Sequence, residues 1–332
     1  MLTARLTKRG GVALACTAVL LCSIPAWAAP TNAAGWLAYM QKALSHESYR
    51  GILVFMGKNR SATYQLVVSA GKYARMSALT GPSREIVRGP RVVVRLGPGG
   101  STMVVRGMGG GASPLPFPPA TQVKVSVLEK NYALELGGSD RVAGKSAQLM
   151  RIVPRDKWRY GYRVWISSNS GLPLRSELMT ASGEILQQAF FTRMSLVSAP
   201  AAQSAIGAKA MSLLAHAEDK GRTSAGPCLG TNAPQLTFRH LPPGFHVEKT
   251  VCERSPGGGL PVTHMLIGDG LATVSLFVAA HQAGGPALVG ATAFGSVHAV
   301  GRLVGSYALT AMGDAPINTV AHIARDLKVG DK

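Results

Sequence analysis

Hydrophobic positions along this chain change their spacing twice, and each change marks a different kind of element. After Thr31 and Asn32, either of which suits a helix N-cap, apolar residues fall at Ala33, Trp36, Leu37, Met40 and Leu44, the spacing of an amphipathic helix. From Tyr49 the period becomes two and stays so, on and off, to about Leu196. Examples are Ala62, Tyr64, Leu66 and Val68, then Val123, Val125 and Val127, then Tyr160, Tyr162, Val164 and Ile166. Turn-forming groups such as Gly81-Pro82, Gly97-Pro98-Gly99-Gly100, Asn169-Ser170-Gly171 and Ser182-Gly183 separate these runs. The pattern predicts a large antiparallel sheet preceded by a helix.

Some of the predicted strands are apolar on both faces. In 50–56, Leu53 and Phe55 point one way while Ile52, Val54 and Met56 point the other; near 188, Leu186 and Phe190 oppose Ile185 and Phe191. A sheet open to water on one side alternates cleanly, so the second face is covered, either by helices or by the sheet curling around an apolar cavity. Residues 107–119, rich in glycine and proline, cannot continue a strand and read as a long loop, with Met108, Leu115 and Phe117 suited to a lid.

Between about Ser198 and Pro234 the chain becomes rich in Ala, Ser and Gly and loses the β pattern. It reads as an interdomain connection in which Ala208–Ala217 can form a short helix. A second β-rich unit follows, with Leu241-Pro242-Pro243-Gly244-Phe245 and a hairpin turn at Asp269-Gly270. The strand after that turn sets Ala272, Val274, Leu276 and Val278 against Thr273 and Ser275. A closing helix begins near Asp314 and Pro316, carries Ile317, Val320, Ala321, Ala324 and Leu327, and ends at Lys328 and Gly330.

The N-terminus combines Arg5, Lys8 and Arg9, an apolar run from Gly11 to Ile24, and Ala26-Trp27-Ala28, the layout of a cleaved secretory signal over 1–28. Its removal takes three basic and no acidic residues from a formal charge of +19, leaving +16. In the cytoplasm that charge would suggest nucleic acid; outside it, the anionic partners are lipid phosphates and acidic protein segments. Of the four cysteines only Cys228 and Cys252 follow the signal, and in an oxidising compartment such a pair reads as a disulfide. Zinc is the rival, because His240 and His246 lie between them, but the spacing matches no standard metal motif. No Gly-x-Ser-x-Gly elbow, His-Glu-x-x-His pair or Walker loop appears, the eight histidines are dispersed, and Glu85, Asp140 and Glu184 read as surface or ion-pair residues. No enzyme, metal or cofactor is expected.

Several segments, taken in order, resemble the MucB/RseB family of periplasmic regulators. They are Trp36 to Ala43 with Tyr49-Arg50-Gly51, Leu79 to Val87 with its Gly-Pro-x-Arg-Glu turn, Tyr132 to Met194, Leu241 to Phe245, and Asp269-Gly270-Leu271. The resemblance implies a mainly β protein with helices (α+β): an unclosed antiparallel barrel like that of lipoprotein carriers over 29–197, a linker over 198–234, and a smaller β-rich domain with a terminal helix over 235–332. It implies a periplasmic negative regulator that binds the periplasmic domain of a membrane anti-sigma factor and shields it from regulated proteolysis. It also implies sensing of lipid, lipopolysaccharide or lipoprotein acyl chains, at most peripherally to the membrane and without nucleic acid. For the lipid cavity, strand alternation nominates Leu53, Phe55, Met76, Trp165, Leu186 and Phe190. The alternative is a periplasmic lipid or lipoprotein carrier, in which the cavity itself is the function.

Overall fold

The computed structural model describes residues 30–58, 60–106, 123–222, 235–254, 261–281, 285 and 287–330. The predicted signal, the 107–119 loop and Cys228 lie outside them. Helix α1 (Ala33–His46) starts where the Asn32 side chain accepts from the Gly35 amide at 2.8 Å, and its buried residues, Ala33, Trp36, Leu37, Met40, Ala43 and Leu44, repeat at helical spacing.

One antiparallel sheet of eleven strands follows. Its first part is β1 (Tyr49–Gly57), β2 (Arg60–Ser69), β3 (Tyr73–Ala78), β4 (Glu85–Arg88), β5 (Val92–Leu96) and β6 (Thr102–Arg106). After α2 (Val125–Asn131) come β7 (Tyr132–Val142), β8 (Lys145–Pro154), β9 (Gly161–Ser167), β10 (Pro173–Met179) and β11 (Ile185–Leu196). The order is β6-β5-β4-β3-β2-β1-β11-β10-β9-β8-β7, so the two halves meet at the β1–β11 pair and the barrel stays unclosed, with β6 and β7 at its edges. The alternation at Val123, Val125 and Val127 misleads: residues 125–131 are helical, and only Leu128 of that helix is buried.

Both faces of the sheet are covered, by different helices. On the inner face α1 packs into a core containing Tyr49, Leu53, Leu66, Val68, Met150, Ile152, Val164 and Phe191. On the outer face of the β2–β5 half lie α3 (Ala199–Ile206) and α4 (Ala208–Arg222), whose Ala202, Ile206, Ala210 and Leu214 bury Val67, Val87, Val92 and Val94. The first two-thirds of the expected linker is therefore a packed helical cover. Its low β pattern was legible; its small residues permit the close approach. Arg75 fastens it, donating to Glu85 at 2.9 and 3.0 Å and to the Ile206 carbonyl at 3.2 Å, a cation at a helix C-terminus.

The second unit contains β12 (Gln235–Phe238), β13 (His246–Arg254), β14 (Pro261–Gly268), β15 (Thr273–Ala280), β16 (Gly290–Phe294), β17 (Val297–Val304), β18 (Tyr307–Gly313), α5 (Ile317–Asp326) and β19 (Leu327–Gly330). Six strands form a sheet ordered β13-β14-β15-β18-β17-β16, and β12 pairs with β19. Val274, Leu276 and Val278 share its core with Val320, Ile323, Ala324 and Leu327. The closing helix ends at Asp326; Lys328 and Gly330 belong to β19, paired with Thr237 and Gln235.

Candidate functional site

The inner face of the large sheet is graded from buried to open. One cross-strand row runs Gly51, Leu66, Met76, Ile86, Arg95, Met103 over β1 to β6. Leu66 is fully buried and Met76 is 7 % exposed, whereas Ile86 is half-buried and Met103 is 58 % exposed. Helix α1 makes its main strand contacts with β7 and β8, at the far end of the face, and the apolar surface opens toward edge strand β6. Arg88 lies on the same face, paired with Ala74, and donates to the Gly71 carbonyl at 2.8 Å. Burial pushes the guanidinium down and the nearby Tyr49 hydroxyl up. Neither the Tyr49 hydroxyl nor the Arg88 Nε has a hydrogen-bond partner among the described residues.

Of the six residues nominated for a lipid cavity, Leu53, Phe55 and Met76 face inward: Leu53 and Phe55 pair with Phe191 and Ala189, and Met76 with Leu66. Phe190 and Trp165 are both in register with Arg175, on the opposite side of the strands from Leu53; Trp165 is nevertheless only 6 % exposed and belongs to the first core. The Arg175 guanidinium sits 4.6 Å from the Trp165 ring centroid, and the indole donates to Asp140 at 3.1 Å. Leu186 is the extra residue where the β10–β11 register shifts beside Met179. On β11 a bulge puts Phe191, and not Phe190, on the same side as Met194. Between Ile52 and Leu53 the partner on β11 jumps from Arg193 to Phe191, which leaves Thr192 unmatched and inverts the parity of everything before it.

A second constellation lies where the two units meet. Asp269, in the β14–β15 turn, accepts from Arg159 Nη1 at 2.6 Å and from the Tyr132 hydroxyl at 3.0 Å on Oδ2, and from the Leu271 and Ala272 amides at 2.9 and 2.7 Å on Oδ1. Neither Arg159 nor Asp269 exposes any side-chain surface. Arg159 also donates to Asp156 at 3.0 and 3.1 Å and to the Pro243 carbonyl, and its guanidinium lies 5.5 Å from the Tyr132 ring and 5.1 Å from the Phe245 ring. Burial and the neighbouring Asp269 carboxylate push the Tyr132 hydroxyl well up. Each unit also lends a side chain to the other: Leu271 belongs to the core of the large sheet, and Trp158 packs on the core of the second unit, its carbonyl accepting from Thr319 at 2.8 Å. Farther along, the Ser296 hydroxyl lies 2.5 Å from Asp314 and 3.1 Å from Gln187.

Comparison with known proteins covers nearly all of this architecture. The MucB/RseB N-terminal domain model matches residues 32–210 and the MucB/RseB C-terminal domain model residues 231–328. The chain belongs to the MucB/RseB family. It is 28 % identical over 320 residues to the sigma factor AlgU regulatory protein MucB of Pseudomonas aeruginosa, covering 93 % of this chain and 94 % of that protein. The sigma-E factor regulatory protein RseB of Escherichia coli K12 is 28 % identical over 177 residues, 52 % of this chain and 54 % of RseB. Among solved structures, the MucA/MucB complex of P. aeruginosa gives a TM-score of 0.63 at 26 % identity, over 90 % of this chain and 99 % of the matched one. MucB in complex with MucA(peri) gives 0.62 at 26 %, over 90 % and 100 %.

The MucB/RseB N-terminal match runs into α4, so the helical cover travels with the large sheet. The seam around Arg159 escaped sequence reading, although its parts were conspicuous: a charged residue between Trp158 and Tyr160, and an acidic turn residue between Ile267-Gly268 and Gly270-Leu271. Charges set in apolar surroundings were the available signal. No group of three His, Cys, Asp or Glu side chains among the described residues is arranged to hold a metal, and no helix among them is long and apolar enough to cross a membrane.

Proposed function

We propose that this chain is a periplasmic negative regulator that binds the periplasmic domain of a membrane anti-sigma factor and shields it from regulated proteolysis. The observation that carries this reading is the continuous match, through both units, to MucB solved with MucA(peri). The formal charge of +16 left once the predicted signal is removed suits an acidic protein segment. In the same reading a lipid or lipoprotein acyl chain enters along the inner face by Phe55, Met76 and Ile86, and Arg88 and Arg95 attract its anionic end. The test mixes the purified protein with the periplasmic domain of the anti-sigma factor encoded in the same organism. Binding, and slower cleavage of that domain by the protease that degrades it, are expected; unchanged cleavage at saturating protein would overturn the shielding role.

The graded inner face favours a second reading, a lipid or lipoprotein carrier. Transfer of a lipoprotein between membranes in a reconstituted assay, without binding to the anti-sigma domain, would replace regulation with carriage.

A further inference from the structure

We infer that the Asp269-Gly270-Leu271 turn is a releasable latch, which couples the inner apolar face of the large sheet to the docking of the second unit. Only the identity of the ligand rests on the reading above. Leu271 is 2 % exposed and is part of the first core, to which Tyr132 also belongs and against which Val123 packs. The turn therefore supplies a piece of that core; Trp158 returns the exchange. Docking is consequently a matter of two reciprocal plugs set around one buried ion pair.

That ion pair makes the latch specific without making it permanent. Arg159 and Asp269 are both fully buried when docked, and both regain hydration when the units part, which offsets much of what the apolar plugs contribute. Docked, the pair admits one geometry only: Asp269 already uses both oxygens, and Arg159 bridges Asp156, Asp269 and the Pro243 carbonyl.

Position supplies the coupling. Gly270, at φ +95°, closes against Val123, where a Cβ would come within 2.8 Å of the valine side chain. The Val123 carbonyl in turn holds the Gln41 side chain of α1 at 2.8 Å, and Tyr132 follows α2 directly. The residues that seat the turn thus hang from the two helices that line the inner face. An occupant that lifts α1 or α2 from the sheet unseats Leu271. Linkage requires the converse, that undocking favours the occupant by the same factor.

The test uses the full chain carrying Leu271→Ser and, separately, Arg159→Met, with palmitate as the probe. Small-angle scattering should show a larger maximum dimension for both variants, and Trp158 emission should shift to the red, with the far-ultraviolet circular dichroism of the wild type. Palmitate should bind both variants about tenfold more tightly than wild type, within the usual range of coupling between sites. Wild-type dimensions in both variants would overturn the latch, as would loss of secondary structure in both, which would make the turn a folding element. Extended variants with unchanged palmitate affinity would overturn the coupling. Palmitate binding to none of the three proteins would refute the lipid reading and the coupling with it, while scattering still decides whether the turn holds the units together.

Discussion

Phe191 and Met194 stand three residues apart on β11 yet face the same side of the sheet, Phe191 opposite Leu53 and Met194 opposite Gly51. The bulge at Thr192 makes this so, and it delivers a ring to the core that regular alternation would have turned outward. Phe191 is 2 % exposed and meets Tyr49 edge-on at 6.2 Å between ring centroids.

Phe191→Ala should therefore destabilise the protein by about 3 to 5 kcal/mol, the range for emptying a buried aromatic site. Phe190→Ala, on the half-buried outer face, should cost less than about half of that. Denaturant unfolding of the two variants checks the ordering, and equal losses would place the bulge elsewhere.

Gly51 leaves the space that Phe191 fills. A Cβ there would lie 2.5 Å from the Arg193 carbonyl and 2.7 Å from the Phe191 ring. Since a backbone carbonyl cannot swing aside, Gly51→Ala should cost about 1 to 3 kcal/mol. Pairing it with Phe191→Leu should recover part of the loss only if the ring, rather than the carbonyl, dominates the clash. Melting temperatures of the single and double variants decide between the two.

Asp314 gives the seam a pH dependence. Burial raises its carboxyl above the ordinary value, against the opposing pull of the Ser296 hydroxyl and His298. A carboxyl raised on folding favours the folded state when protonated, and that contribution is lost as pH rises through its folded value. From about pH 4, near the ordinary aspartate value, toward neutrality, the wild type should lose stability that Asp314→Asn retains. Thermal unfolding of both proteins across that window tests the sign.

We propose that Cys252, which faces Thr263 across the β13–β14 pair, is bonded to Cys228. Closing a loop of this length should contribute roughly 3 to 4 kcal/mol. Free-thiol titration of the unfolded mature protein should find no free thiol before reduction and two after it, and reduction should lower the denaturation midpoint.

Much of the architecture was legible in the sequence because it is local. The Asn32 cap and the 33-36-37-40-44 spacing define α1, period two defines most strands, and Asp269-Gly270 marks the hairpin that exists. Side-chain direction within one element depends only on its own backbone repeat. Tertiary structure decided the rest. A bulge at Thr192 inverted Phe190 and Phe191, the Val123–Val127 alternation became the start of α2, and Ala-rich residues 199–222 became the cover of the outer face. The Arg159–Asp269 pair joins residues 110 positions apart. Such outcomes depend on which distant surface is present to bury a side chain or accept a hydrogen bond, and no local repeat encodes that.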